Sequence, residues 1–263
     1  MATAGNELLL EKKEGILTIT LNRPERLNAL TDPMREAMVR AFTEAATDKD
    51  AKVLILTGAG RGFCSGADVG GMRSGEAEPA TGVRRIGLGW PIAVAMRDLG
   101  KPIIAAVNGV AVGAGLGLAM NSDIRIASDK AQFGTIFVRR ALATEWGLSY
   151  LLPRIIGPGK TLEIALTGDI IDARQAEQLG LVNKVVPHDD LMKAARDLAL
   201  KLTKGPALSY HLIKKAVYAG LESSYIAQLN TEASATTLAL QTDDHKEAVA
   251  AILEKREPNF KGR

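Results

Sequence analysis

Apolar positions along the chain follow two rhythms, and the change between them organises it. Near the start, residues 7–11 and 16–21 flank a turn at Glu14 and Gly15 and read as a hairpin. Asp32 then offers a helix N-cap, with Pro33 at the first helical position. Behind it Met34, Ala37, Met38, Ala41, Phe42 and Ala45 keep helical spacing and predict a core-facing stripe. A short continuous apolar run at 53–57 predicts a buried strand, 102–107 reads as another, and 124–127 reads as a further strand. A helix is expected within 84–99, started late or kinked by Pro91. The polar, small-residue stretch 72–82 predicts a mobile loop. From residue 189 onward the rhythm is helical, over 189–204, 206–219, 222–240 and 243–255. The layout is repeated strand–helix units over 1–188, then a helical C-terminal region over 189–263, in an α/β protein.

Composition narrows the class. A chain of 263 residues buries enough surface to hold a core without disulfide or metal. Aromatics make up only 4%, so the core is aliphatic, with Ala and Gly permitting close backbone approach. The net charge of +3, from 33 basic and 30 acidic residues, is too small for a nucleic-acid footprint. The single cysteine, Cys64, excludes an intrachain disulfide and reads as a small core residue. His188, His211 and His245 lack metal-ligand spacing, so no metal is expected. No apolar run reaches the length of a signal peptide or a membrane span, which makes a cytoplasmic protein the expectation.

Two glycine-bearing turns carry candidate chemistry. The first is FCSGAD at 63–68 and the second lies in NGVAVGAGLGL at 108–118. Each follows a strand-like run and leads towards a helix, which leaves backbone N–H groups without intrahelical acceptors and favourable to negative charge. Either turn alone is also what tight packing requires. A dinucleotide fingerprint fails on spacing, because glycines stand at 113, 115 and 117 where GxGxxG needs one at Leu118.

Together the two turns resemble the crotonase (enoyl-CoA hydratase/isomerase) superfamily. Further matches, in order, are LNRPERLNAL at 21–30, NSDIRIAS at 121–128, AQFG at 131–134, LTGDIIDARQAEQLGLVNKVV at 166–186 and EKREPNF at 254–260. The resemblance implies a crotonase-like spiral of ββα units with a helical C-terminal trimerisation region. It implies an acyl-CoA substrate, no further cofactor, no nucleic-acid partner, and a homotrimer or dimer of trimers. The oxyanion-hole donors would be the N–H groups of Ala67 and Ala114, flanked by Asp68 and Val69. Arg23, Arg26 and Lys255 would lie near the CoA nucleotide.

The chain departs from a hydratase at two places. Where family hydratases carry two glutamates it has Gly117 and Phe137, and neither can move a proton. A different carboxylate, Glu145, falls where family isomerases have their catalytic glutamate, with Phe137 and Trp146 implying the apolar setting a general base requires. Local sequence alone offers another reading, a first-turn carboxylate in a helix capped by Thr144. An enoyl-CoA isomerase with Glu145 as sole base is the leading expectation. The alternatives are hydration by a reduced site, hydrolysis, dehalogenation or decarboxylation on the same scaffold, or a non-catalytic RNA-binding member. Arg139 and Arg140 receive no catalytic role.

Overall fold

The computed structural model of the chain describes residues 7–68 and 89–263. The hairpin forms around the Glu14–Gly15 turn: β1 (Leu8–Lys13) pairs antiparallel with β2 (Ile16–Leu21), whose Ile16, Ile19 and Leu21 are buried. Helix α1 (Asp32–Thr47) buries the whole predicted stripe from Met34 to Ala45. Its cap is Thr31 rather than Asp32. Thr31 has the extended backbone a cap needs, and its Oγ1 accepts the Met34 N–H at 3.2 Å. Asp32 sits inside the first turn and pairs with Arg35 instead.

Three successive ββα turns follow. They are β3 (Val53–Gly58), β4 (Gly62–Cys64) and α2 (Trp90–Asp98); β5 (Ile103–Val107), β6 (Val110–Val112) and α3 (Ala114–Met120); and β7 (Ile124–Ser128), β8 (Gln132–Gly134) and α4 (Leu148–Thr167). Pro91 stands in the first turn of α2, where its missing N–H costs nothing, so it starts that helix rather than kinking it. After α4 come β9 (Ile171–Asp172), α5 (Ala173–Gln178) and β10 (Lys184–Val186).

The first strand of each turn enters one sheet and the second strand another. The larger has six strands in the order β1-β2-β3-β5-β7-β10, and the smaller four in the order β4-β6-β8-β9. From β2 to β10 the large sheet is parallel, as are β4, β6 and β8. The central strands β3 and β5 are buried along their whole length, covered on both faces, which is why they read as near-continuous apolar runs. Leu54 and Leu56 of β3 face one cluster with α1 and α3, while Val53 and Ile55 face a second. That second cluster includes Leu191, Ala195 and Ala199 of α6 (Leu191–Thr203). The first helix of the C-terminal region is therefore part of the sheet's own core.

Helices α7 (Ala207–Gly220), α8 (Tyr225–Leu240) and α9 (Asp243–Glu254) complete the chain. One network docks α7: Asp123, at the start of β7, accepts the Ile103 N–H at 2.8 Å, Lys214 Nζ at 2.9 Å and the Tyr218 hydroxyl at 2.7 Å. Asp123 thus anchors more than the turn before its strand. Farther on, Tyr225, Ile226, Ile252 and Leu253 stand exposed. Among the described residues no helix is long and apolar enough to cross a membrane.

Candidate active site

The ends of β4 and β6 set the site. These strands are parallel neighbours, with Cys64 opposite Ala111, so the turns that follow them emerge side by side at one sheet edge. Gly66 and Gly113 form the junction and both lie in the positive-φ region, at 99° and 56°. A side chain on Gly66 would come within 3.2 Å of Val112 O and 3.7 Å of Ala114 N. Ala67 and Ala114 therefore sit beside one another, each following a glycine. The Ala67 peptide is held from behind, because Gly66 O accepts the Leu30 N–H at 2.8 Å and the Asp68 N–H donates to Leu30 O at 3.0 Å. Among the described residues the Ala67 N–H has no acceptor in the chain. The Ala114 N–H, first in α3, has no intrahelical acceptor either.

Two asparagines that drew no attention as site residues stiffen the approach. Asn28 is fully buried and donates to Ala59 O at 3.0 Å and Gly62 O at 2.7 Å, while its Oδ1 accepts the Arg23 N–H at 2.8 Å. Asn108 donates to Gly60 O at 2.9 Å and to the same Gly62 O at 3.1 Å. The entry to β4 is thus fixed before the first turn begins. Cys64 is buried in that strand, and burial pushes its thiol up to about 12, as befits a core residue.

Arg23 is committed inside the protein. Its Nη1 donates to Asp68 Oδ2 at 2.7 Å and to Ala29 O at 2.7 Å, and its Nε lies 3.1 Å from Glu7 Oε1. It braces the first turn through Asp68. Arg26 is exposed beside the same turn, and its carbonyl accepts from Ser65 Oγ at 3.2 Å. Lys255 is exposed at the end of α9; among the described residues no hydrogen bond or ion pair joins it to either turn. Val69 and the 72–82 loop lie outside the described residues.

Glu145 is not in a helix. Helix α4 begins at Leu148 with Gly147 as its cap, and both Trp146 and Gly147 have positive φ, 62° and 70°. The first-turn reading with Thr144 as cap is therefore overturned: the chain reverses after Glu145 instead of winding on. The carboxylate is half-buried and, among the described residues, has no hydrogen-bond or ion-pair partner. Phe137 and Trp146 are both buried, as expected.

Beside Gly117 lies the Trp146 indole. A Cβ on Gly117 would lie 2.6 Å from Trp146 Cγ, and one on Gly89 would lie 2.6 Å from the same atom. The ring is thus packed between two glycine backbones, one of them a helical turn beyond Ala114. Arg140 reaches towards the first turn, with Nη1 3.5 Å from Ala67 O. Neither the glycine sandwich nor this contact had a sequence signal, since each joins segments distant along the chain.

Comparison with known proteins agrees with this architecture. The family model described as enoyl-CoA hydratase/isomerase matches residues 11–263. The 1,2-epoxyphenylacetyl-CoA isomerase of Escherichia coli is 36% identical over 258 residues, covering 97% of this chain and 98% of that one. The crotonyl-CoA hydratase of Syntrophomonas wolfei is 36% identical over 259 residues, covering 98% of each. The solved structure of an enoyl-CoA hydratase/isomerase from Cupriavidus metallidurans superposes with a TM-score of 0.91 at 31% identity, covering 98% of this chain and 97% of that one. With its spiral of ββα turns, its paired turns at one sheet edge and a match over nearly its whole length, the chain belongs to the enoyl-CoA hydratase/isomerase family.

Proposed function

We propose that the chain is an enoyl-CoA isomerase that uses Glu145 as its only base. The observation that carries this reading is the packing at Gly117, where the Trp146 indole takes the room a second carboxylate would need. Glu145 remains half-buried and unpartnered. In this reading the thioester oxygen of a 3-enoyl-CoA lies between the N–H groups of Ala67 and Ala114. Glu145 removes a proton from C2, the electron pair moves onto the thioester oxygen as a dienolate, and the same carboxyl returns the proton to C4. Each preorganised donor contributes about 3 kcal/mol to the charged state. Asp68 and Val69 flank the donor turn, Phe137 and Trp146 wall the acyl side, and Arg26 and Lys255 offer charge to the CoA phosphates.

Hydration is the second reading, supported by relatives named as hydratases, including the crotonyl-CoA hydratase above. It requires water to be activated while C2 gains a proton, and so asks for a second acid–base group. Our reading also takes the protein as cytoplasmic, free of a resident cofactor, and a homotrimer or dimer of trimers joined through the exposed apolar residues of α8 and α9. The deciding experiment compares wild type and Glu145→Gln on 3-enoyl-CoA and 2-enoyl-CoA. Isomerisation falls by roughly two to four orders of magnitude in the variant, with acyl-CoA affinity retained. Brisk hydration by wild type, with isomerisation surviving in Glu145→Gln, would overturn the assignment.

A further inference from the structure

We propose that Asn121 is the positioning residue that aims Glu145. The inference rests on Glu145 being the base. Asn121 follows α3 directly, and α3 carries Ala114 at its other end. Its Nδ2 donates to two carbonyls, Gly117 O at 2.8 Å and Trp146 O at 2.9 Å. The first bond ties the side chain back onto its own helix. The second reaches across to the reversal that immediately follows Glu145. Among the described residues it is the only hydrogen bond from residues 143–146 to an element beyond the local segment.

The reversal needs such a tie. Trp146 holds a positive φ of 62°, a conformation unfavourable for a bulky side chain and kept only where the surroundings impose it. Two constraints impose it here: the indole packed against Gly117 and Gly89, and the Trp146 carbonyl held by Asn121. Inside the reversal, the Leu148 N–H donates to Glu145 O at 3.1 Å, so the Glu145 backbone moves with the Trp146 peptide. Helix α3 has 7 residues and spans about 10 Å at 1.5 Å per residue, which makes it a rigid spacer. One end presents the oxyanion donor and the other fixes the base. Both partners of Nδ2 are carbonyl oxygens, so an amide is required and a carboxylate of the same shape would be repelled.

Displacing a base by about 1 Å costs on the order of 100-fold in rate while leaving binding untouched. The test is a double-mutant cycle on isomerisation of a 3-enoyl-CoA, with affinity for a saturated acyl-CoA measured in parallel. Asn121→Ala and the isosteric Asn121→Asp lower kcat by about ten- to a hundredfold, with KM and acyl-CoA affinity within about twofold. In the Glu145→Gln background the same changes lower the residual rate by less than about twofold, because there is no base left to aim. Asn121→Ser keeps a donor for Gly117 O but cannot span to Trp146 O; it gives the same loss of kcat and serves where the alanine variant folds poorly. An unchanged kcat in all three variants overturns the proposal. An equal loss in the Glu145→Gln background also overturns it, since Asn121 would then act on the oxyanion turns or on the fold. Retention of isomerisation by Glu145→Gln alone refutes the base itself, and the positioning role falls with it.

Discussion

The Cα of Gly117 lies against the Trp146 ring, so that any side chain at 117 would meet Cγ of the indole within 2.6 Å. Gly117 and Trp146, the residue beside Glu145, are thus one packing unit. Gly117→Ala is expected to force the ring out and to destabilise the protein by about 1–3 kcal/mol, read from urea denaturation. Gly117→Glu alone should lose isomerisation without gaining hydration. Adding Trp146→Ala to Gly117→Glu gives the carboxylate room, and stability recovers at least in part. A Gly117→Ala variant as stable as wild type would show that the indole is not confined there.

That unit marks the boundary of what the residues disclose in order along the chain. The stripe on α1, the apolar runs of β3 and β5, the strand signal of β7 and the two glycine turns are local patterns, and each formed where the sequence predicts. The cap of α1 moved by one residue because Thr31 and Asp32 are both competent caps and only backbone geometry chooses between them. Around Glu145 the local sequence is compatible with a helix start capped by Thr144. The reversal wins through the Trp146 packing and the Asn121 bond, both tertiary. In the same way α6 carries an ordinary amphipathic pattern that does not announce that the large sheet supplies its partner face.

The two arginines of the 21–30 motif should separate by experiment. Arg23 is braced by Asp68, Glu7 and Ala29 O, with its side chain 15% exposed. Removing it takes the Arg23 contact from both carboxylates and from Ala29 O, so Arg23→Ala is expected to lower stability by about 2 kcal/mol and to reduce kcat through the first turn. Arg26 is exposed and, among the described residues, has no ion pair. Arg26→Ala should leave the urea midpoint unchanged and weaken CoA affinity only, in a salt-dependent way. The reverse pattern would exchange their roles.

Cys64 offers a probe of the first turn's integrity. Its thiol is fully buried, and burial raises it to about 12, so almost no thiolate exists at neutral pH. Native protein is expected to resist a thiol reagent at pH 8, with full reaction once urea unfolds it. Rapid modification under native conditions would mean that β4 opens readily and that the turn it carries is not preorganised.

The chain's end is fastened to α9 by a charge pair whose pH dependence has a defined sign. Glu247 accepts from Arg256 Nη1 at 2.6 Å and Nη2 at 3.0 Å, and from the Asn259 N–H at 2.7 Å. The Arg256 hydrogen bond chiefly, then that of Asn259, holds the carboxyl down at about 2 against an ordinary 4.5. A depressed carboxylate stabilises the folded state fully above its unfolded pKa, and that contribution is lost as pH falls through the folded one. The stability advantage of wild type over Glu247→Gln should therefore be complete above about pH 5 and shrink progressively as pH drops towards 2. Because the pair is on the surface, the advantage should also diminish in high salt. Carbon-13 NMR of the Glu247 carboxyl gives the direct measurement: a midpoint near 4.5 would mean that the tail is not fastened in solution, and a midpoint near 2 that it is.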